Sequence, residues 1–353
     1  MMTARTATSA GPAQTNSRNR LTARRLVITL VVLFVVVILL GLFAIAVGSE
    51  HVSVTSILNI LASKMTGRAT DASPEQKIII LDIRFPRVVM AIVVGAALSV
   101  AGAAYQALLR NPLAEAYVLG VSTGAALGAI AAIVFAESLP IGRPLLAFIG
   151  AVVTTLIVYA LGQTREGGSS ERLVLGGIII NALLSSWVIF LVTNAPGLRQ
   201  RSVMSWLIGY LGSETRLLPV VSIFIIIGII VIYLNARSLN LMMTGEQDAL
   251  ALGVEVKRVT VIVYLAASLI TGAAVAVSGV IGFVGLIIPH AVRLAGGSDN
   301  RLVVPASALA GGAFLLLADT VARTVVSPLE LHVGVITASI GAPVFIYLLR
   351  RTS

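Results

Sequence analysis

The chain has 353 residues, of which 58% are hydrophobic and only 11% charged, whereas soluble domains average about 25% charged residues. This composition excludes an ordinary soluble protein, because a water-soluble fold of this size needs a polar surface. The net charge of +10 indicates membrane topology and not nucleic-acid binding, since basic residues of membrane proteins mark cytoplasmic ends and lipid headgroups. Cysteine is absent and histidine occurs three times, which excludes thiolate chemistry and leaves little material for a metal site.

Apolar runs long enough to cross about 30 Å of hydrocarbon predict ten membrane spans. The predicted fold class is therefore an all-α membrane protein of about ten transmembrane helices. The run at 280–294 is the weakest, because Pro289, His290 and Arg293 interrupt it. The predicted spans lie near 26–48, 87–109, 117–136, 145–161, 173–193, 217–234, 259–278, 280–294, 304–321 and 333–349.

Ten spans place both termini on one side of the membrane, and flanking arginines indicate the cytoplasmic side. Residues 1–25 are predicted to form a disordered, basic cytoplasmic tail, and residues 26–353 a single ten-helix transmembrane domain. A cleaved signal peptide is the alternative for the first span, but its apolar run is long for such a segment. The flanking arginines are Arg18, Arg20, Arg24, Arg25, Arg350 and Arg351.

Regularly spaced glycines indicate close helix packing. Gly120, Gly124 and Gly128 recur every four residues, and Gly282 and Gly285 lie three apart. Small residues let helix backbones approach in lipid, where association depends on packing contacts. We expect a compact bundle with a pathway inside it or at a subunit boundary.

The sequence lacks the motifs of a self-sufficient motor or enzyme. No phosphate-binding loop of the form Gly-x-x-x-x-Gly-Lys-Ser/Thr occurs, so the chain is not expected to hydrolyse ATP itself. No catalytic cluster stands out, so we assign no catalytic, cofactor-binding or metal-binding residue. Asp319 and Arg323 lie four residues apart and are predicted to pair on one helix.

Several ordered motifs between Arg84 and Arg350 together resemble the FecCD family, the permeases of ATP-binding-cassette importers for ferric siderophores, haem and cobalamin. Each motif alone is weak, and their joint occurrence in order carries the resemblance. The motifs are RFPR at 84–87, RNPLA at 110–114, LGVS at 119–122, TGEQDALALGV at 244–254, GFVGLIIPH at 282–290, LADTVAR at 317–323 and GAPVF at 341–345.

The resemblance implies a BtuC-like permease, with both termini cytoplasmic, in the bacterial cytoplasmic (inner) membrane. It also implies a second permease subunit, identical or paralogous, two ATPase subunits that bind ATP and Mg, and an extracytoplasmic substrate-binding protein. The chain itself is expected to be a transport subunit and not an enzyme. The expected cargo is a ferric siderophore, with haem or cobalamin as alternatives.

The resemblance assigns an outer docking surface to Arg84, Arg87 and Arg323. All three are expected to face the outer solution and to meet glutamates of the binding protein. Such exposed ion pairs set register and encounter rate more than affinity. The alternatives are that these arginines reach lipid headgroups, or that Arg323 simply neutralises Asp319.

A cytoplasmic gate is expected where the second span breaks. Pro112 cannot continue a helix and biases Asn111 away from helical angles. By resemblance, Asn111 and Leu113 form one gate element and Ser170, in the loop before the fifth span, a second one. An ordinary turn between helices explains the Asn-Pro pair equally well.

The polar stretch 236–258 is expected to be a cytoplasmic coupling segment. Thr244 and Gln247 have capping-box spacing, and Gly253 suits a helix end, which predicts a short helix. By resemblance, this helix sits in a cleft of the ATPase; a plain surface helix is the alternative. The residues assigned to coupling are Glu246, Leu250, Leu252, Gly253 and Val254.

Two other classes of protein compete with this interpretation. An ion-coupled secondary transporter or channel would work without an ATPase, and Asp319 is its only acidic candidate within the spans. A membrane enzyme is disfavoured because polar catalytic groups held at one depth are missing.

Overall fold

The computed structural model describes residues 22–48, 53–66, 72–135, 142–163, 170–212, 214–326 and 329–352. Within these ranges the regular structure is helical, with no strand. Most of the predicted tail, residues 1–21, lies outside the described residues. Its last residues do not belong to a tail, because the first helix already begins at Ala23.

Each of the ten predicted spans coincides with a helix. Seven of the described helices are long and apolar enough to cross a bilayer, and three shorter apolar helices, α5, α13 and α15, complete the set. The spanning helices are α1 Ala23–Ala46, α4 Phe85–Leu108, α5 Val121–Phe135, α6 Gly142–Gly162, α7 Ser170–Asn194, α9 Leu218–Leu234, α12 Val256–Ser278, α13 Val284–Gly296, α14 Asn300–Thr324 and α15 Val333–Thr352.

Five further helices lie between the spans. The sequence predicted only one of them, a short helix in the cytoplasmic segment 236–258. The remaining helices are α2 Val54–Thr66, α3 Pro74–Ile78, α8 Gly197–Ile208, α10 Ala236–Thr244 and α11 Glu246–Ala251. A π-helical turn, Ile79–Arg84, joins α3 to α4 without a break. Helices α2 and α8 escaped prediction because they are short and too polar for a search based on apolar runs.

Helix α4 is the centre of the bundle. It packs against α12, α13 and α14, and most of its side chains are buried. Helices α5, α6 and α7 form a second group. In contrast, α1 and α9 expose most of their apolar side chains, as expected for helices whose outer faces contact lipid.

Glycine contacts set how closely the central helices approach. A Cβ added at Gly102 of α4 would overlap the carbonyl group of Gly285 of α13, and one added at Gly95 would overlap Gly311 of α14. The predicted close packing of helices through glycine is therefore present. It brings α4 into backbone contact with α13 and α14.

We predict that Gly102→Ala destabilises the bundle by about 1 to 3 kcal/mol, because the new methyl group must push α4 and α13 apart. Thermal unfolding of the purified protein in detergent measures the effect. Gly282→Ala is the matched control, since no atom lies within 4 Å of an added Cβ there. Equal unfolding midpoints for the two variants would contradict the packing role of Gly102.

Candidate functional site

A buried carboxylate organises the outer end of the bundle. Asp319 of α14 is fully buried and accepts hydrogen bonds from two arginines. The distance from Arg87 Nη2 to Asp319 Oδ1 is 3.0 Å, and that from Arg323 Nε to Asp319 Oδ2 is 3.2 Å. The predicted pairing of Asp319 with Arg323 is confirmed. Two cations compensate one buried anion, so this group is held firmly in place.

Two of the arginines form hydrogen bonds with the outer end of α1. Arg84 Nη1 donates to the carbonyl oxygen of Ile45 at 2.8 Å, and Arg323 Nη2 donates to that of Ala44 at 3.1 Å. The last carbonyl groups of a helix have no partner within the helix. The two side chains therefore cap α1 and fix it against α4 and α14.

The expectation that all three arginines face the outer solution is wrong for this chain. Arg84 and Arg87 are buried, and Arg323 is largely enclosed. The physical reason is that Asp319 and the carbonyl groups of α1 offer the guanidinium groups better partners than water does. Docking of a second protein at Arg84, Arg87 or Arg323 stays a prediction and requires that the surrounding contacts rearrange.

Arg87 also connects this buried group to the outer surface. Its Nη1 lies 2.9 Å from Glu330 Oε2, and its guanidinium carbon lies 5.2 Å from the centre of the Tyr210 ring. The Tyr210 hydroxyl donates to Glu330 at 3.2 Å. Burial alone would raise the pKa of Glu330, but the hydrogen bond and charge of Arg87 hold it below its usual value. This contact is therefore present at neutral pH and weakens as the pH falls through that lowered pKa.

We predict that Asp319→Asn lowers the free energy of unfolding by about 3 to 5 kcal/mol, because it leaves the enclosed guanidinium group of Arg323 without a paired carboxylate and Arg87 with only the half-exposed Glu330. Glu330→Gln is the matched control. The Glu330 side chain is 42% exposed and its removal leaves Arg87 paired with Asp319, so we expect a loss of about 1 kcal/mol or less. Thermal unfolding in detergent compares the variants, and a larger loss for Glu330→Gln would refute this ranking.

The predicted break after α4 is present, and its geometry involves more than Pro112. Arg110 adopts a left-handed backbone conformation with φ 50°, and the Asn111 backbone N–H donates to the carbonyl oxygen of Gln106 at 3.2 Å. The Asn111 side chain then accepts a hydrogen bond from the backbone N–H of Leu113 at 2.9 Å, which forms an Asx turn. Asn111 and Leu113 are exposed, so neither side chain is fixed in the core.

The second predicted gate element lies at the start of α7. Ser170 is the first residue of this helix, and its side chain falls outside the described residues. The structure thus places the backbone of Ser170 at the inner end of the bundle. The gate roles of Asn111, Leu113 and Ser170 stay predictions.

The cytoplasmic segment forms two helices, α10 and α11, instead of one. The predicted capping box is wrong: Thr244 ends α10, its hydroxyl donates to the carbonyl oxygen of Leu241, and α11 begins after Gly245 without a side-chain cap. The predicted end at Gly253 is confirmed. Gly253 has φ 83°, and the Val254 N–H donates to the carbonyl oxygen of Ala249 at 3.0 Å, as in a Schellman motif.

Helix α11 presents an apolar surface to the cytoplasm. Leu250 and Leu252 are 56% and 65% exposed, and Glu246 is exposed beside them. Ala249 is buried and holds the helix against the bundle. Among the described residues, Leu250 and Leu252 do not belong to the hydrophobic core, and their exposed side chains are available to a partner.

Helix α10 is fixed to the inner end of α14. Asn240 donates to Asp299 Oδ1 at 2.8 Å and accepts from the backbone N–H of Asn300 at 2.8 Å. The hydrogen bond from Arg301 lowers the pKa of Asp299 to about 2, so its carboxylate stays charged as the cap of α14. One continuous helix therefore links the cytoplasmic segment to Asp319 at the outer end.

These features define a class of protein: a polytopic helical membrane protein with a short exposed helix at its cytoplasmic end and no nucleotide-binding loop in its sequence. The chain belongs to the FecCD transport family, which matches residues 33–351. It is a BtuC-like permease subunit of an ATP-binding-cassette importer, a multi-pass protein of the cytoplasmic membrane, and ATP hydrolysis resides on separate subunits.

Curated relatives and a solved structure agree with this assignment. The chain is 44% identical over 275 residues to the cobalamin import system permease protein BtuC of Halobacterium salinarum, covering 78% of this chain and 74% of that protein. It is 43% identical over 280 residues to the hemin transport system permease protein HmuU of Yersinia pestis, covering 77% and 83%. A solved chain, described as an inward-facing conformation of a metal-chelate type ABC transporter, matches with TM-score 0.78 and 27% identity over 92% of this chain and 99% of its own.

Proposed function

We propose that this permease carries a metal chelate inward by alternating access, driven by ATPase subunits that grip α11. The observation that supports the proposal most is the exposed leucine pair on this ordered helix, in a family whose members are importer permeases. An exposed apolar surface rimmed by polar groups is typical of a docking site. The end of α11 at Gly253 and Val254 then transmits movement of the ATPase to α12.

Cobalamin is the cargo that we propose first. The relative named for cobalamin import is 44% identical to this chain over 275 residues. A ferric siderophore, the cargo expected from the sequence, is the second candidate, and the resemblance to a metal-chelate type transporter supports it. Haem is the third, through the relative named for hemin transport.

A second permease subunit, identical or paralogous, is proposed to pack against α7 and α15. Both helices carry exposed serines among apolar residues, Ser186 on α7 and Ser339 on α15. Polar groups in a membrane helix face protein or water more readily than lipid. The pathway would then run between two permease subunits, with a substrate-binding protein on the outer side.

We predict that the double variant Leu250→Ala, Leu252→Ala weakens binding of the partner ATPase at least about tenfold, because two apolar contacts are lost. Co-purification and the transport-dependent rate of ATP hydrolysis measure the effect. Leu329→Ala is the matched control, since Leu329 is 69% exposed on the outer side. The proposal fails if the double variant binds and stimulates the ATPase as the unmodified chain does.

The cargo is tested by rescue of growth. A deletion strain that carries this permease with its partner subunits and binding protein is supplied with cobalamin, a ferric siderophore or haem under limitation for that nutrient. We expect rescue by cobalamin. Rescue by a ferric siderophore alone would replace the first candidate with the second.

A further inference from the structure

A groove lies between α6 and α9, over the surface of α12. Leu265 and Leu269 of α12 form its floor, and its walls include Leu156 of α6 and Val231 of α9. The groove holds about 310 Å³, and pockets that bind small molecules measure about 300 to 1,000 Å³. None of the described residues of α7 and α15, where the second permease subunit is proposed to pack, lines this groove.

Contacts between the three helices close the groove toward the outer side of the membrane. The rings of Phe148 of α6 and Phe224 of α9 lie 6.0 Å apart between centroids, and each residue is about 9 Å from the outer end of its helix. A Cβ added at Gly272 of α12 would lie 2.8 Å from the Cβ atom of Ala151 of α6. The groove therefore begins on the inner side of these contacts.

The depth of the groove matches the inner leaflet of a bilayer. Leu156 lies about 9 Å from the inner end of α6, and Leu265 lies about 14 Å from the inner end of α12. Val231 lies about 5 Å from the inner end of α9. Since the hydrocarbon core is about 30 Å thick, each leaflet supplies about 15 Å of it. The groove thus lies beside the acyl chains of the cytoplasmic leaflet.

The surface of the groove is apolar. Two hydroxyl groups belong to its lining residues, those of Thr155 and Ser268, and both are hydrogen-bonded within the bundle. Thr155 donates to the carbonyl oxygen of Ala151 at 2.8 Å, and Ser268 shares a hydrogen bond of 2.8 Å with the hydroxyl group of Tyr105. A polar occupant would lose hydrogen bonds to water in such a site, whereas a hydrocarbon chain would lose none.

An exposed arginine lies at the inner end of the groove. Arg258 precedes Leu265 by seven residues, so the two side chains project from the same side of α12. The Arg258 side chain is 71% exposed, and Glu255, which lies 3.6 Å from it, is 72% exposed. An ion pair this exposed contributes little, so the guanidinium group of Arg258 is available to a stronger partner.

A second cation makes this inner end positive. Arg237 is exposed at the start of α10, directly after the inner end of α9, and forms no ion pair with any residue that the structure describes. Lys257 shares a different pocket with Glu246, so those two charges offset each other. Beside the groove, Arg258 and Arg237 therefore outnumber the single carboxylate of Glu255. Guanidinium groups bind phosphate through pairs of parallel hydrogen bonds.

We propose that this groove binds an anionic phospholipid of the cytoplasmic leaflet, with one acyl chain between α6 and α9 and the phosphate group at Arg258 and Arg237. Basic groups at the cytoplasmic side of membrane helices bind anionic headgroups, and the apolar groove adds a fixed place for the chain. The lipid would fill the space beside α12, directly after the cytoplasmic segment 236–258. The site involves neither cargo nor ATPase, so it goes beyond the proposed function.

Native mass spectrometry of the full-length chain in detergent measures the lipid that it retains. The probes are phosphatidylglycerol and phosphatidylcholine with identical acyl chains, added in equal amounts. We expect the chain to retain phosphatidylglycerol preferentially, and Arg258→Gln to lower this preference about fivefold, the effect of one basic residue at an anionic membrane surface. Arg24→Gln is the matched control, because Arg24 is exposed at the inner end of α1, a helix that does not line the groove.

A second variant fills the groove itself. Leu156 is 52% exposed, so the larger side chain of Leu156→Trp can enter the groove without disturbing the core, and we expect the variant to lose the retained lipid. Ile226→Trp is the matched control, since Ile226 is 56% exposed on α9 and does not line the groove. Thermal unfolding shows whether each variant is folded, and Leu265→Trp replaces Leu156→Trp if the latter is not.

Three results would overturn the inference. Equal effects of Arg258→Gln and Arg24→Gln would show that lipid preference follows only the total charge of the chain. Unchanged lipid retention in the folded tryptophan variant would show that no acyl chain lies in the groove. Loss of pairing between permease subunits in that variant, with lipid retained, would assign the groove to a second copy of the chain. The assay needs no ATPase, so its outcome is independent of the coupling test at Leu250 and Leu252.

Discussion

The requirement that every backbone polar group be paired inside a membrane governs this structure. Helices satisfy it automatically, so each place where a helix breaks at depth must be sheltered by protein or water. Two such breaks meet beside α4, at residues 111–120 and 279–283. Glycine contacts such as that between Gly102 and Gly285 bring the helices close enough to enclose them.

Helix α14 joins the two ends of the molecule. At its inner end, Asn300 is hydrogen-bonded to Asn240 of the cytoplasmic segment, and near its outer end Asp319 holds Arg87 and Arg323. The helix is continuous from Asn300 to Thr324, so a displacement of its inner end can be transmitted along it. A shift imposed on α10 from the cytoplasm would therefore reach the buried charges on the outer side through one continuous helix, as a subunit driven by a separate motor requires.

Much of the fold is predictable from the sequence, because lipid-crossing helices are long apolar runs. The ten spans, the helix end at Gly253 and the pairing of Asp319 with Arg323 depend on local patterns. The burial of Arg84 and Arg87 could not be predicted, since their partners lie more than thirty residues away. At Thr244 a local pattern gave a wrong prediction. Its spacing to Gln247 predicted a helix N-cap, but Thr244 is the last residue of the preceding helix α10.

We infer that this chain is a conduit opened and closed by separate ATPase subunits. The most direct test is cargo flux in proteoliposomes that contain the purified chain with its substrate-binding protein, with and without the partner ATPase. We expect ATP-dependent flux only when the ATPase is present, and no flux driven by an ion gradient alone. Sustained uptake by the chain without the ATPase, powered by a proton or sodium gradient, would contradict it.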